Sequence, residues 1–360
     1  MRKLKLFIRK QRVGQYMLLI LLMLAGCGPA TVQQQVDLFW PLPPDPPKIK
    51  YLETWRSVDD FGRSAFDVFA ENIIGRESVS GLRKPQGVAV DSSGRIYVTD
   101  TALGAVVVID KVAKTLWFIG KEGQGKLAVP IDIALDEGAD RIYVSDSKTT
   151  VVNVYSMKGA FKMAIKGGGI DKTFERPTGL AIDRKLKRLY IVDTLKSKYF
   201  IYSLDGQYIS SVGEWGNNEG QFNRPIYAAV NSRGEVYIVD GGNFRIQKFT
   251  PEGKFIQKFG QIGDALGHFA RPKGIAIDSE DNVYVGDGAF NNFQIFNKEG
   301  QLLMFVGHGG VGPGEFQIPA GLAIDQQDRI YVVDQLNFRV QVFQYLGGRY
   351  AEAKKDSLDK

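Results

Sequence analysis

A single all-β domain, a closed six-bladed β-propeller, is what the sequence predicts, and three observations predict it. A proline opens a phrase close to P-x-G-x-A-[VI]-D six times, at Pro85, Pro130, Pro177, Pro225, Pro272 and Pro319. Behind each copy comes [IVL]-Y-[IV]-x-D, closing on Asp100, Asp146, Asp193, Asp240, Asp287 and Asp334, which lie 46, 47, 47, 47 and 47 residues apart. Each unit also carries four short strand signals and no long helical period. The stretch 225–270 reads YAAV, turn NSRGE, VYIVD, loop GGNFR, IQKF, turn TPEGK and FIQKFG, then a glycine-rich link to the next proline. A unit this small cannot bury its own apolar face, so six of them stack around an axis.

Composition narrows the reading. The 41 glycines are turn residues between strands. The formal charge of +6 comes from Arg2, Lys3, Lys5, Arg9, Lys10 and Arg12; without these six, 40 basic residues face 40 acidic ones. A case for nucleic acid from net charge therefore fails, and none is expected as a partner.

The segment 1–26 joins that cationic start to a short apolar run at 17–24, the pattern of a secretory signal and too short for a comfortable membrane span. It ends in L-A-G-C, whose Cys27 is the only cysteine, so no intramolecular disulfide can form. L-A-G-C resembles the lipobox of a bacterial lipoprotein signal. The resemblance implies cleavage before Cys27, lipidation of its thiol and a membrane contact through the lipid anchor. Several acyl chains together hold firmly, each buried methylene adding about 0.8 kcal/mol. Gly28 in place of an aspartate implies the outer membrane of the cell envelope, with the domain periplasmic or surface-facing.

The segment 27–47 is polar and then proline-rich (WPLPPDPP), which predicts an extended, stiff spacer. Within 48–83, KIKYLETW alternates like the fourth strand of a repeat that lacks its first three. Pairing it with the last blade would close the ring and remove two exposed edges, with GGRYAEA near the C-terminus competing for the slot. Phe66, Phe69, Ala70, Ile73 and Ile74 then fall at helical spacing between Ser64 as N-cap and Gly75 as stop, predicting one short N-terminal helix. The repeats occupy 84–346, and a charged tail, 347–360, follows.

RPIYAAVNSRGEVYIVDGGNFRIQKFTPEGKFIQKFG closely resembles the NHL repeat, and PAGLAIDQQDRIYVVDQLNFRVQVF repeats the match. The resemblance implies the six-bladed fold. It leaves function open, because NHL propellers include peptide-amidating lyases, RNA-binding modules, sensor modules and secreted proteins of unknown role. The lyase branch needs a histidine-bound zinc with three protein ligands, whereas this chain has only His268 and His308, in different places on adjacent links.

The repeated acids read as architecture. The closing aspartates form one ring and Asp91, Asp136, Asp183, Asp278 and Asp325 a second, with Asn231 as the exception; twelve equivalent positions cannot all be catalytic, and an aspartate at a strand end accepts N–H groups from the turn that follows. G-H-G-G-V-G from Gly307 matches a dinucleotide loop only formally, since it aligns with other links and precedes a proline and a strand. Phe174, Phe222, Phe269 and Phe316, each three residues before a proline, read as wedges between blades.

Candidate binding residues lie where the repeats disagree. Asp132 and Tyr227 replace the glycine two places after the proline, and Gln86, Ile131, Thr178, Ile226, Lys273 and Ala320 are the variable neighbours, at one mouth of the channel. Loops at the same face bring Lys148, Lys196, Lys198, Arg245 and Arg339, and the links add Arg176, Arg224 and Arg271, so that mouth is expected to be basic. Arg245 and Arg339 belong to the repeat's own N-F-R phrase, for which a structural bond to a neighbouring loop is the competing explanation.

The resulting expectation is a membrane-anchored, non-enzymatic scaffold without a cofactor, which binds an envelope protein, a peptide or an anionic polymer through one face. The alternative is a calcium-dependent, lactonase-like hydrolase with the ion in the channel and Asp132 among its ligands. The apolar innermost strands (GVAV, GLAI, AAV, GIAI) speak against it.

Overall fold

The computed structural model describes residues 37–61 and 81–358. The segment 1–26 expected to be a signal, Cys27 and the helix expected at 64–75 lie outside the described residues. Five four-stranded antiparallel sheets and one five-stranded sheet make up six blades, each with its innermost strand beginning at a repeat proline. Blade 4 shows the plan: Pro225–Val230 is innermost, followed outward by Val236–Asp240, Arg245–Phe249 and Phe255–Phe259. The second strands, such as Ile96–Asp100 and Val236–Asp240, are buried along their whole length, because both faces pack against neighbouring blades.

Blade 6 takes three strands from the C-terminal side, Pro319–Ile324, Arg329–Asp334 and Arg339–Tyr345. Its fourth is Ile49–Trp55, antiparallel to Arg339–Tyr345 with Ile49 opposite Tyr345 and Trp55 opposite Val340. Phe39–Trp40 adds a short fifth strand. The proline-rich stretch therefore turns back between these two strands instead of running on as a spacer. Trp40 meets Phe343 edge to face at 5.7 Å, and burying that indole outweighs the stiffness of the prolines. The competing GGRYAEA stretch does not enter the sheet; it opens a helix, Gly348–Leu358, where a plain charged tail was expected. Glu280 anchors this helix by accepting the Gly348 N–H at 2.8 Å and the Tyr345 hydroxyl at 2.9 Å. Among the described residues no helix is long and apolar enough to cross a membrane.

The closing aspartates explain their own repetition. Asp100 accepts the N–H groups of Arg83 and Lys84 ahead of the proline at 2.7 and 2.9 Å, and those of Ala102 and Leu103 in the following loop at 3.0 and 3.1 Å. Asp193 and Asp287 make the same four-way connection in blades 3 and 5. One buried carboxylate thus ties the incoming link to the loop beside it and satisfies donors that would otherwise be stranded. The aspartates at the ends of the innermost strands do the same for the tight turns: Asp91, Asp278 and Asp325 each take a tyrosine hydroxyl (Tyr97, Tyr284, Tyr331) at 3.0 Å. The link phenylalanines are wedges. Phe222 lies 6.2 Å from the Tyr199 ring of blade 3 and 5.6 Å from Phe249 of blade 4, and Phe316 bridges Phe293 and Phe343 in the same way.

Around the axis the innermost strands touch through glycine. A Cβ on Gly179 would sit 2.5 Å from Tyr227 Cα, one on Gly274 2.2 Å from Ala320 O, and one on Gly321 2.5 Å from Gln86 O. The last of these contacts joins blade 6 to blade 1.

Candidate functional site

Each innermost strand starts at one mouth of the channel, here called the proline mouth, and ends at the other. At the proline mouth the structure gathers Gln86, Asp132, Thr178, Tyr227 and Lys273, all from strand starts. The third-position ring of the six strands reads Gly87, Asp132, Gly179, Tyr227, Gly274 and Gly321. Asp132 and Tyr227 are thus the two side chains of a ring whose four glycines have no room for a Cβ against the neighbouring strand.

Asp132 is buried among these strands. One carboxylate oxygen accepts the Leu180 N–H from the next blade at 2.8 Å. The other lies where a Gly87 side chain would have to go. Burial pushes its carboxyl up to about 7, and the Leu180 and Ile133 amides only partly offset that. Tyr227, from blade 4, is also buried, and its hydroxyl has no hydrogen-bond partner among the described residues. Thr178 is tied to Thr194 at 3.0 Å, and Thr194 donates to Pro225 O at 2.7 Å, sealing the seam between blades 3 and 4.

Calcium takes six to eight oxygens. The ring offers one carboxylate, that of Asp132, toward the ion of the alternative reading. Among the described residues no group of three histidine, cysteine or acidic side chains could hold a metal. His268 contacts Gln261 at 2.8 Å and His308 contacts Gly309 O at 3.1 Å, each within its own link.

The expected basic residues divide into two sets. Arg245 and Arg339 do not face the mouth. Each is buried with its guanidinium spread over the preceding link: Arg339 donates to Asp334 and to the carbonyls of Val311, Gly312 and Glu315 at 2.7–2.8 Å, and Arg245 repeats the pattern on Asp240, Asn217, Asn218 and Gln221. A planar fork that satisfies several carbonyls at once is a structural clamp. Lys196 and Lys198 converge on Asp171 at 3.4 and 3.1 Å, with Glu175 3.3 Å from Lys196, so their charge is answered by the link that leads into blade 3. Lys148 is exposed.

The second set consists of Arg176, Arg224 and Arg271, joined by Lys84, which the reading of the sequence did not single out; each of the four stands directly before a blade proline and is exposed. None of the four forms a salt bridge among the described residues. Three have their main chain pinned by a closing aspartate, which holds the base of the side chain at the rim. Lys273 completes the group. It is partly buried, and desolvation together with Arg271 and Lys84 pushes its ammonium down to about 8.

The opposite mouth holds a depression that reading the sequence missed. A cavity of about 390 Å³ is lined by the strand-end acids Asp183, Asp278 and Asp325, with Arg184, Lys185 and Arg349. Arg349 comes from the C-terminal helix, which the repeat pattern does not contain. Arg184 has no basic counterpart in the other blades, the one signal that pointed there.

A family model described as a six-bladed β-propeller matches residues 129–213 and 279–359, and the NHL-repeat model matches residues 82–110 and 222–249. No curated protein matches the sequence. Solved structures that resemble it include an auxiliary nutrient binding protein from Bacteroides thetaiotaomicron, with a TM-score of 0.59, 14% identity, and 75% of this chain and 71% of that one covered. A protein of unknown function from the same organism has a TM-score of 0.58, 17% identity and 74% and 70% coverage. Virginiamycin B lyase from Staphylococcus aureus has a TM-score of 0.53, 14% identity and 72% and 94% coverage. At such identities the likeness is one of fold. The chain is a six-bladed β-propeller carrying NHL repeats.

Proposed function

We propose that this propeller is a membrane-tethered, non-enzymatic scaffold of the bacterial envelope, lipidated on Cys27, which binds another envelope protein, a peptide or an anionic polymer at its proline mouth. The observation that carries the reading is the uncompensated charge there. Lys84, Arg176, Arg224 and Arg271 stand at equivalent places on four blades, exposed and without salt bridges among the described residues, whereas Lys196, Lys198, Arg245 and Arg339 are engaged by the fold. Charge that the fold leaves unanswered on one face favours and orients an anionic partner. Relatives in fold include a nutrient binding protein and a lyase, so the fold does not choose between binding and catalysis.

The test is capture of partners from detergent-solubilised envelope by the full chain and by a Lys84→Glu, Arg224→Glu, Arg271→Glu variant. Partners held by the first and lost by the second are expected. No partner, or the same partners on both, overturns the reading. Cys27→Ser should release the protein from the membrane fraction, and retention there would remove the tether.

A further inference from the structure

Lys273 is the point where the proline mouth departs furthest from the repeat. Its counterparts Gln86, Ile131, Thr178, Ile226 and Ala320 carry no charge. The lysine stem runs beside Gly288, at which a Cβ would lie 3.4 Å from Lys273 Cε and 3.3 Å from Ile318 Cγ2. Gly288 occupies the place held by Thr194 in blade 3 and Gln335 in blade 6, whose side chains bond across the seam to Pro225 O and Pro85 O. In blade 5 a glycine removes that bridging side chain, and the Lys273 stem lies against the space it leaves.

Among the described residues no salt-bridge partner comes with the Lys273 ammonium. The charges that act on Lys273 are Arg271, two residues earlier, and Lys84, from blade 1 beyond blade 6; both are positive. None of the three forms a salt bridge among the described residues. A partly desolvated ammonium flanked by two cations raises the free energy of the folded protein, and the other five blades close the mouth without it. A negatively charged oxygen group placed between the three would remove the repulsion and accept charge-assisted hydrogen bonds from each.

We propose that Lys273, Arg271 and Lys84 form an oxyanion site at the proline mouth that takes the carboxylate or phosphate group of a ligand. The inference rests on the reading of this mouth as the binding face and narrows its ligand to one that presents such a group. Calorimetric titration of the full chain with inorganic phosphate and, separately, with acetate tests it. Saturable binding of at least one anion is expected, about tenfold or more weaker in Lys273→Gln and restored in Lys273→Arg, as loss of a charge-assisted contact requires. Lys254→Gln, on an exposed turn of blade 4, should bind as the parent does, and melting curves should show all variants folded.

Phosphate binding without acetate binding assigns a phosphate group, and the reverse a carboxylate. No binding of either, or equal binding by Lys273→Gln, overturns the site. If that happens while the charge reversals still abolish partner capture, the oxyanion site falls and the binding face stands.

Discussion

Replacing Asp132 with asparagine should change the pH dependence of stability in a way that the geometry of the axle dictates. The folded chain raises this carboxyl from the ordinary value of 3.8 to about 7 through burial. That is about three pH units at ~1.4 kcal/mol each, so keeping the charged form in the axle costs about 4 kcal/mol. The sign follows from proton counting: between those two values the unfolded chain holds fewer protons than the folded one. Stability present at low pH is therefore lost as pH rises through this window, and the loss is complete above about pH 7.

Asparagine keeps an acceptor for the Leu180 amide, which now sits 2.8 Å from the carboxylate, and gives up the second acceptor at a cost of about 1 kcal/mol. Asp132→Asn is thus expected to be less stable than the parent by about 1 kcal/mol at pH 4 and more stable by about 3 kcal/mol at pH 8. Urea unfolding of both proteins at several pH values, with equal slopes against denaturant, measures the difference. Parallel pH profiles would show that Asp132 is not held in a desolvated axle, and the account of the channel would be wrong.

Arg339→Lys keeps the charge but loses the fork that spans Asp334 and three link carbonyls. It should cost about 3–5 kcal/mol by thermal unfolding, and an unchanged melting temperature would contradict the clamp. Gly179→Ala places a methyl 2.5 Å from Tyr227 Cα, forcing blades 3 and 4 apart, whereas Gly94→Ala at φ +82° has open space and meets only backbone strain. The first should cost about 3 kcal/mol or more and the second about 1 kcal/mol, and the reverse order would refute close packing at the axle.

Much of the fold was legible because its repeated residues have repeated jobs. Prolines start innermost strands, closing aspartates gather N–H groups from two loops, and link phenylalanines wedge the blades, each at a fixed offset in the unit. Arg245 and Arg339 show the limit of that logic. Their place in the repeat favoured a structural bond, and only the contacts with Asn217, Asn218, Val311 and Gly312 removed them from the mouth. Lys196 and Lys198 looked as free as Arg271 in the sequence; their partner Asp171 lies about 25 residues earlier, on a link whose path the repeat does not specify. The cavity at the opposite mouth was hidden for a similar reason, since part of its wall is Arg349, from a helix outside the periodic pattern.

Periodicity alone determined the architecture: six units of nearly constant length, each with an unburied apolar face, have few ways to satisfy one another except around an axis. Tertiary packing decided which charges remain available. Whether a lysine is paired, clamped or left facing the channel depends on links and loops that meet only after the ring has closed, and spacing along the chain carries no record of those meetings. The uncompensated group at Lys84, Arg271 and Lys273 is therefore a product of the folded ring, assembled from two blades that lie almost two hundred residues apart in sequence.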